Sequence, residues 1–115
     1  MVKNFLDPTF ESVAIAQGTT AATLVLKAGA TGKIVRLHRL CGTLHAAGSI
    51  KIESKPAGTA VALTGAMTWA TNGGQEDDGQ IDPKLCLATA SGSALQITTS
   101  AGAFNGYAII SSDNE

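Results

Sequence analysis

Apolar and polar positions alternate most cleanly between residues 32 and 55, GKIVRLHRLCGTLHAAGSIKIESK. Ile50 and Ile52 fall on one side of an extended chain, and Lys51, Glu53 and Lys55 fall on the other, which is the signature of half-buried sheet. Across the Ala46-Ala47-Gly48-Ser49 turn, Leu40, Gly42 and Leu44 have the parity of the two isoleucines. The stretch therefore reads as a hairpin whose register is fixed by burial. Upstream of Leu40 the phase changes, because Val35 and Leu37 are apolar while Arg36, His38 and Arg39 are not. That break predicts a bulge near His38, or a strand that moves from one sheet to another.

The rest of the chain repeats short versions of this pattern. Residues 12–17 place Val13 and Ile15 on one face, and residues 22–28 set Leu24 and Leu26 against Val25. Residues 61–70 carry Val61, Leu63, Met67 and Trp69 at odd positions. Asn72-Gly73-Gly74 closes that segment with residues that accept positive φ. Residues 75–80 read as a polar, acidic loop, and Asp82-Pro83 as a turn before residues 85–88. Residues 94–100 form a strand with Leu95 and Ile97 inside. Residues 101–106 read as a loop, and residues 107–111 as a last strand before a polar tail. About eight short strands separated by glycine-bearing turns, with no sustained helical period, predict an all-β, two-sheet sandwich. The domain is expected over residues 12–115, preceded by an extended N-terminal arm at residues 1–11.

Composition narrows the class without naming a function. A chain of 115 residues is one domain with one core. A net charge of -1 with 15% charged residues supplies no basic field for nucleic acid, so no nucleic-acid partner is expected. The apolar runs fall short of the roughly 20 residues of a membrane helix, so no membrane partner is expected either. The first ten residues lack the pattern of a secretory signal, so the protein is expected to be made and used without export by that route. Cys41 and Cys86 are far apart in sequence and without further thiols, which favours reduced, structural cysteines. Small residues dominate, and a thin core of this kind favours association of copies.

No catalytic constellation stands out, and neither a cofactor nor an enzymatic activity is expected. Gly29-Ala30-Thr31-Gly32-Lys33 has the wrong spacing for a phosphate loop, Ile34 follows the lysine, and a strand comes next. The acidic stretch 75–82 lacks the alternating ligand spacing of a calcium loop. His38 and His45 have opposite parity, and no nucleophile signature surrounds either cysteine. Trp69 and Tyr107 could stack on a sugar if exposed, but their apolar strand contexts predict core packing. Two groups are candidates for partner contact. Phe5, Leu6 and Phe10 flank Asp7-Pro8 in the arm and could pack on their own domain or on a neighbour. Arg36 and Arg39 belong to a cationic group with His38, Lys51 and Lys55 that could touch an acidic surface, or simply be solvated.

The order of features from Gly32-Lys33-Ile34 through Ile50-Lys51-Ile52, Leu63-Thr64-Gly65-Ala66-Met67, Asn72-Gly73-Gly74, and Ala90-Ser91-Gly92-Ser93-Ala94-Leu95 to Gly106-Tyr107-Ala108-Ile109 resembles head decoration, or cement, proteins of tailed bacteriophages. The resemblance covers about two thirds of the chain and departs from it at the charged insertion 76–82. It implies a jelly-roll protomer that forms homotrimers and sits on the capsid surface of a virion, where it fastens neighbouring copies of the major capsid protein without catalysis. A trimeric carbohydrate- or receptor-binding module is the alternative.

Overall fold

The computed structural model describes residues 10–78 and 87–114. Among them are ten strands and no helix: β1 (Phe10–Ala16), β2 (Thr23–Lys27), β3 (Lys33–Leu44), β4 (Gly48–Lys55), β5 (Val61–Ala62), β6 (Met67–Trp69), β7 (Gly74–Asp78), β8 (Leu87–Ala88), β9 (Ala94–Ser100) and β10 (Phe104–Asn114). They form two antiparallel sheets. Sheet A has the order β1-β10-β3-β7 with β8 also on β3, and sheet B has the order β2-β9-β4-β5 with β6 also on β4. The pairing is nested: β1 with β10, β2 with β9, β3 with β7 and β8, and β4 with β5 and β6. A long hairpin rolled so that successive pairs fall in opposite sheets has this order, and it is the strand order of a jelly roll.

The rolled topology corrects the reading of residues 32–55. β3 and β4 do not pair; the chain crosses from sheet A to sheet B at His45, Ala46 and Ala47, and each strand finds its ladder partners elsewhere. Leu40 and Leu44 do share an interior with Ile50 and Ile52, but they meet across the sandwich instead of along one sheet. The bulge is where the phase break places it. Arg39 opposes Ile109 and Leu37 opposes Ile110, which leaves His38 as the extra residue.

Three further boundaries differ from the sequence reading. Phe10 and Glu11 belong to β1, opposite Ser111 and Ile110, so the sheet starts inside the stretch assigned to the arm. Residues 74–78 are a strand on β3, where their charge suggested a loop. β10 starts at Phe104 and runs through the expected polar tail to Asn114, because β3 pairs with it over that whole length, while β1 covers its other side from Asn105 to Ser111. Phe5 and Leu6, and the second half of the acidic stretch, lie outside the described residues.

The core lies between the sheets. Val35, Leu37, Leu40 and Leu44 of β3 and Phe104, Ala108 and Ile110 of β10 face Ile50 and Ile52 of β4, Leu95 and Ile97 of β9 and Leu26 of β2. Phe104 is the bulkiest fully buried side chain, and two glycines make room for it. Gly42 and Gly106 oppose each other in the β3–β10 ladder. A Cβ on Gly42 would stand 2.6 Å from the Phe104 ring, so the ring lies over bare backbone. Each full burial of this kind contributes roughly 1.5–3 kcal/mol.

Two crossings between the sheets are pinned by polar contacts. At one, the Gln17 amide oxygen accepts from the Phe104 N–H at 2.9 Å and from the Thr99 hydroxyl at 2.8 Å, while its nitrogen donates to the Ala22 carbonyl at 2.9 Å. At the other, the His45 N–H donates to the Ala103 carbonyl at 3.0 Å and His45 Nδ1 accepts the Ala103 N–H at 2.9 Å. That second contact uses the lone pair on Nδ1, which places the ring N–H on Nε2. The corner also forces Ala101 to φ 69°, a conformation that L residues adopt at a cost.

Candidate partner-contact face

In a strand, side chains alternate between the two faces, so two consecutive residues can point the same way only at an irregularity. The bulge at His38 is such a point. Leu37 and Leu40 both face the core, and His38 and Arg39 between them both face outward. The break in pattern thus adds one outward side chain to sheet A, beside Arg36.

Around these three the outer face of sheet A is built mainly by β10 and β1. Arg36 Nε donates to Asp113 Oδ2 at 3.1 Å, in a pair whose side chains are only 20% and 16% exposed. His38 Nε2 lies 2.7 Å from the Ser111 hydroxyl, and the Phe10 and His38 rings meet edge to face at 84° with centroids 4.8 Å apart. The Arg39 guanidinium carbon sits 5.9 Å from the centre of the Tyr107 ring, a cation–π contact worth roughly 0.5–1 kcal/mol at a site of this exposure. Ile109 and Cys41 are half-buried on the same face, and Ser12, Ala14 and Ala16 of β1 extend it as small, exposed groups.

The fold therefore brings Phe10, Arg36 and Arg39 together on one surface, with Phe10 44% exposed. It does not bring Lys51 and Lys55 there. Both belong to β4 in sheet B, and the cationic group inferred from sequence is divided between opposite sides of the molecule. Tyr107, expected in the core, instead faces outward between Ala14 of β1 and Cys41 of β3, under Arg39. Trp69 does pack against the core, and its indole N–H is enclosed with no hydrogen-bond partner among the described residues. Ser111 and Asp113, which anchor His38 and Arg36, were missed by sequence reasoning. The signal for them is the alternation that runs on from Tyr107 and Ile109 to Ser111 and Asp113, opposite Phe104, Ala108 and Ile110.

The outer face of sheet B is built from different chemistry. Glu53, 8% exposed, accepts from Gln96 Nε2 at 3.0 Å and from the Thr98 hydroxyl at 2.5 Å, with Lys51 Nζ 3.9 Å away. Burial alone would raise the Glu53 carboxyl. The hydrogen bonds from Thr98 and Gln96 and the Lys51 charge outweigh it and leave the group below its ordinary value.

Among the described residues no three of His, Cys, Asp and Glu come together to hold a metal ion. Cys41 is a free thiol, and Cys86 lies outside the described residues. His45 is committed to the corner beyond the end of β3, remote along the strand from His38. Comparison with known families, with curated proteins and with solved structures gives no match.

Proposed function

We propose that this chain is a non-catalytic virion structural protein that decorates an assembled bacteriophage capsid and stabilises it by bridging neighbouring copies of the major capsid protein. The observation that carries the reading is the pairing of a jelly-roll strand order with an outer face on which Phe10, Arg36, Arg39 and Tyr107 stand side by side. Aromatic and arginine side chains are the types that dominate protein–protein contacts once desolvated. The resemblance in sequence supplies the partner, and it implies a trimer on the lattice. The sequence reading adds Phe5 and Leu6, which lie outside the described residues, to the proposed contact.

The mechanism is linkage. A protein that binds only the assembled lattice stabilises it by about 2.7 kcal/mol per site when its free concentration is a hundred times the dissociation constant, and a lattice repeats that gain over many sites. No bond is made or broken. The test is sedimentation of the full-length chain with tailed-phage heads and, separately, with unassembled capsid subunits. The chain should pellet with heads, raise their disruption temperature and ignore free subunits. Failure to pellet, or equal binding to free subunits, would overturn the reading. A sugar-binding module would need an open aromatic platform; Trp69 packs against the core, and Tyr107, although outward, has the Arg39 guanidinium over its ring.

A further inference from the structure

Among the described residues sheet A ends in β1, and the ladder decides which of its backbone groups are left over. The Gln17 N–H donates to the Phe104 carbonyl at 3.3 Å, and from there the β1–β10 register runs unbroken from Ala16 opposite Asn105 to Phe10 opposite Ser111. Hydrogen-bonded and non-bonded pairs alternate in an antiparallel ladder. Ile15, Val13 and Glu11 therefore turn their N–H and C=O groups toward β10, and Phe10, Ser12, Ala14 and Ala16 turn theirs away. The far side of β10 agrees: His45 donating to Ala103 assigns the odd residues of β10 to β3 and leaves the even ones for β1. No backbone hydrogen bond from the described residues reaches the outward groups of β1.

The other sheet edges carry the usual safeguards against edge pairing. β2 is broken by a bulge between Val25 and Lys27 and ends in that lysine. β5 and β6 have two and three residues. β7, with five, holds Glu76, Asp77 and Asp78. β1 has seven residues in unbroken register, FESVAIA, with no lysine, proline or bulge. Its one charge, Glu11, is already engaged by Lys27 at 2.9 Å.

We propose that β1 pairs edge to edge, antiparallel, with β1 of a second copy of this chain, across a two-fold axis at Val13. In that register every outward-turned residue meets another. Phe10 lies opposite Ala16 of the second copy and Ser12 opposite Ala14, so the one large exposed side chain always faces a small one, and the two Glu11 residues stay apart. Val13 faces its own counterpart as a non-hydrogen-bonded pair. Sheet A then continues through both copies, and the outer faces bearing Arg36 and Arg39 become one surface. The contact does not rest on the capsid reading. The closed assembly it builds is a dimer, where the resemblance implies a trimer.

Light scattering on the purified full-length chain over a range of concentrations tests the proposal, together with Ala14→Pro and Ala14→Lys. Position 14 turns its N–H outward, so proline removes nothing from the β1–β10 ladder while blocking the open edge. The parent should run as a dimer, and both variants as folded monomers whose melting temperature no longer depends on concentration. Should proline distort β1, the lysine variant still decides, because its side chain is outward and solvated. A third variant, Val13→Cys with Cys41 and Cys86 replaced by Ser, should oxidise to a disulfide-linked dimer, since such pairs stand about 4.5 Å apart at Cα. A parent that stays monomeric, a trimer, a dimer indifferent to both substitutions at 14, or a dimer that Val13→Cys fails to link would each overturn the proposal.

Discussion

The two outer faces of the sandwich handle their polar groups in opposite ways. On sheet B the carboxylate of Glu53 is enclosed by Gln96, Thr98 and Lys51, and Thr23 and Thr98 share a hydroxyl contact of 3.0 Å. That face answers its own hydrogen-bonding demands. On sheet A the polar contacts stand beside an apolar strip of exposed Phe10 and Ala14 with half-buried Tyr107 and Ile109, whereas the exposed apolar side chains of sheet B, Val25 and Val61, are aliphatic and sit apart at its opposite edges. A face closed on itself gains little from a partner, whereas one that keeps aromatic surface wet gains when the surface is covered. On the proposed reading, the first face serves stability and the second serves contact.

The largest perturbation should strike both faces at once. Phe104→Ala empties the space over Gly42 and should cost roughly 3–5 kcal/mol. Tyr107 on sheet A and Trp69 against sheet B should then lose their structure in a single transition when followed by fluorescence and by amide exchange. Separate transitions would show that the two sheets are independent units and that the comparison of faces is one of separate parts.

Glu53→Gln isolates sheet B. Losing hydrogen bonds to a charged group should cost about 1.5–3 kcal/mol near neutral pH. The folded-state pKa is lowered, so the ionised group's contribution is fully present above its unfolded value and disappears as pH falls through the folded one. The stability gap between parent and variant, measured by urea unfolding, should narrow with acidification. A gap that stayed constant or widened at low pH would mean that the carboxylate is not held ionised by its neighbours. Capsid attachment should be unchanged in either case.

The smallest effect belongs to the corner that joins the sheets. Ala101→Gly relieves a positive φ and should raise stability by about 0.5–1 kcal/mol, visible as a higher urea midpoint with the same slope. It should leave both faces as they are. A change in attachment with this variant would tie the contact to corner geometry in place of face chemistry.

Parity along single strands was legible in the sequence, and pairing between strands was not. Leu24 and Leu26 against Val25, Leu95 and Ile97 inside, and the bulge at His38 all follow from period-2 alternation and its one break. The partner of β3 does not follow. Leu40 and Ile50 would have the same parity whether they were neighbours in one sheet or met across two, so alternation cannot distinguish a hairpin from a crossing. β7 escaped because an edge strand can carry charge along its length and then looks like a loop. The contact face was half legible for the same reason. Arg36 and Arg39 lie on one strand and could be grouped, but their grouping with Lys51 and Lys55 depended on the pairing of β3 with β4. Tyr107, Ser111 and Asp113 joined them only through the β10 ladder.

The most direct test of the division between faces is quantitative pelleting of three proteins with tailed-phage heads: the parent, Arg39→Ala on sheet A, and Lys51→Ala on sheet B. The account predicts that Arg39→Ala weakens attachment at least tenfold, in the range of an interface anchor of about 2 kcal/mol, and that Lys51→Ala binds like the parent. Equal binding by all three, or loss with Lys51→Ala alone, would contradict it.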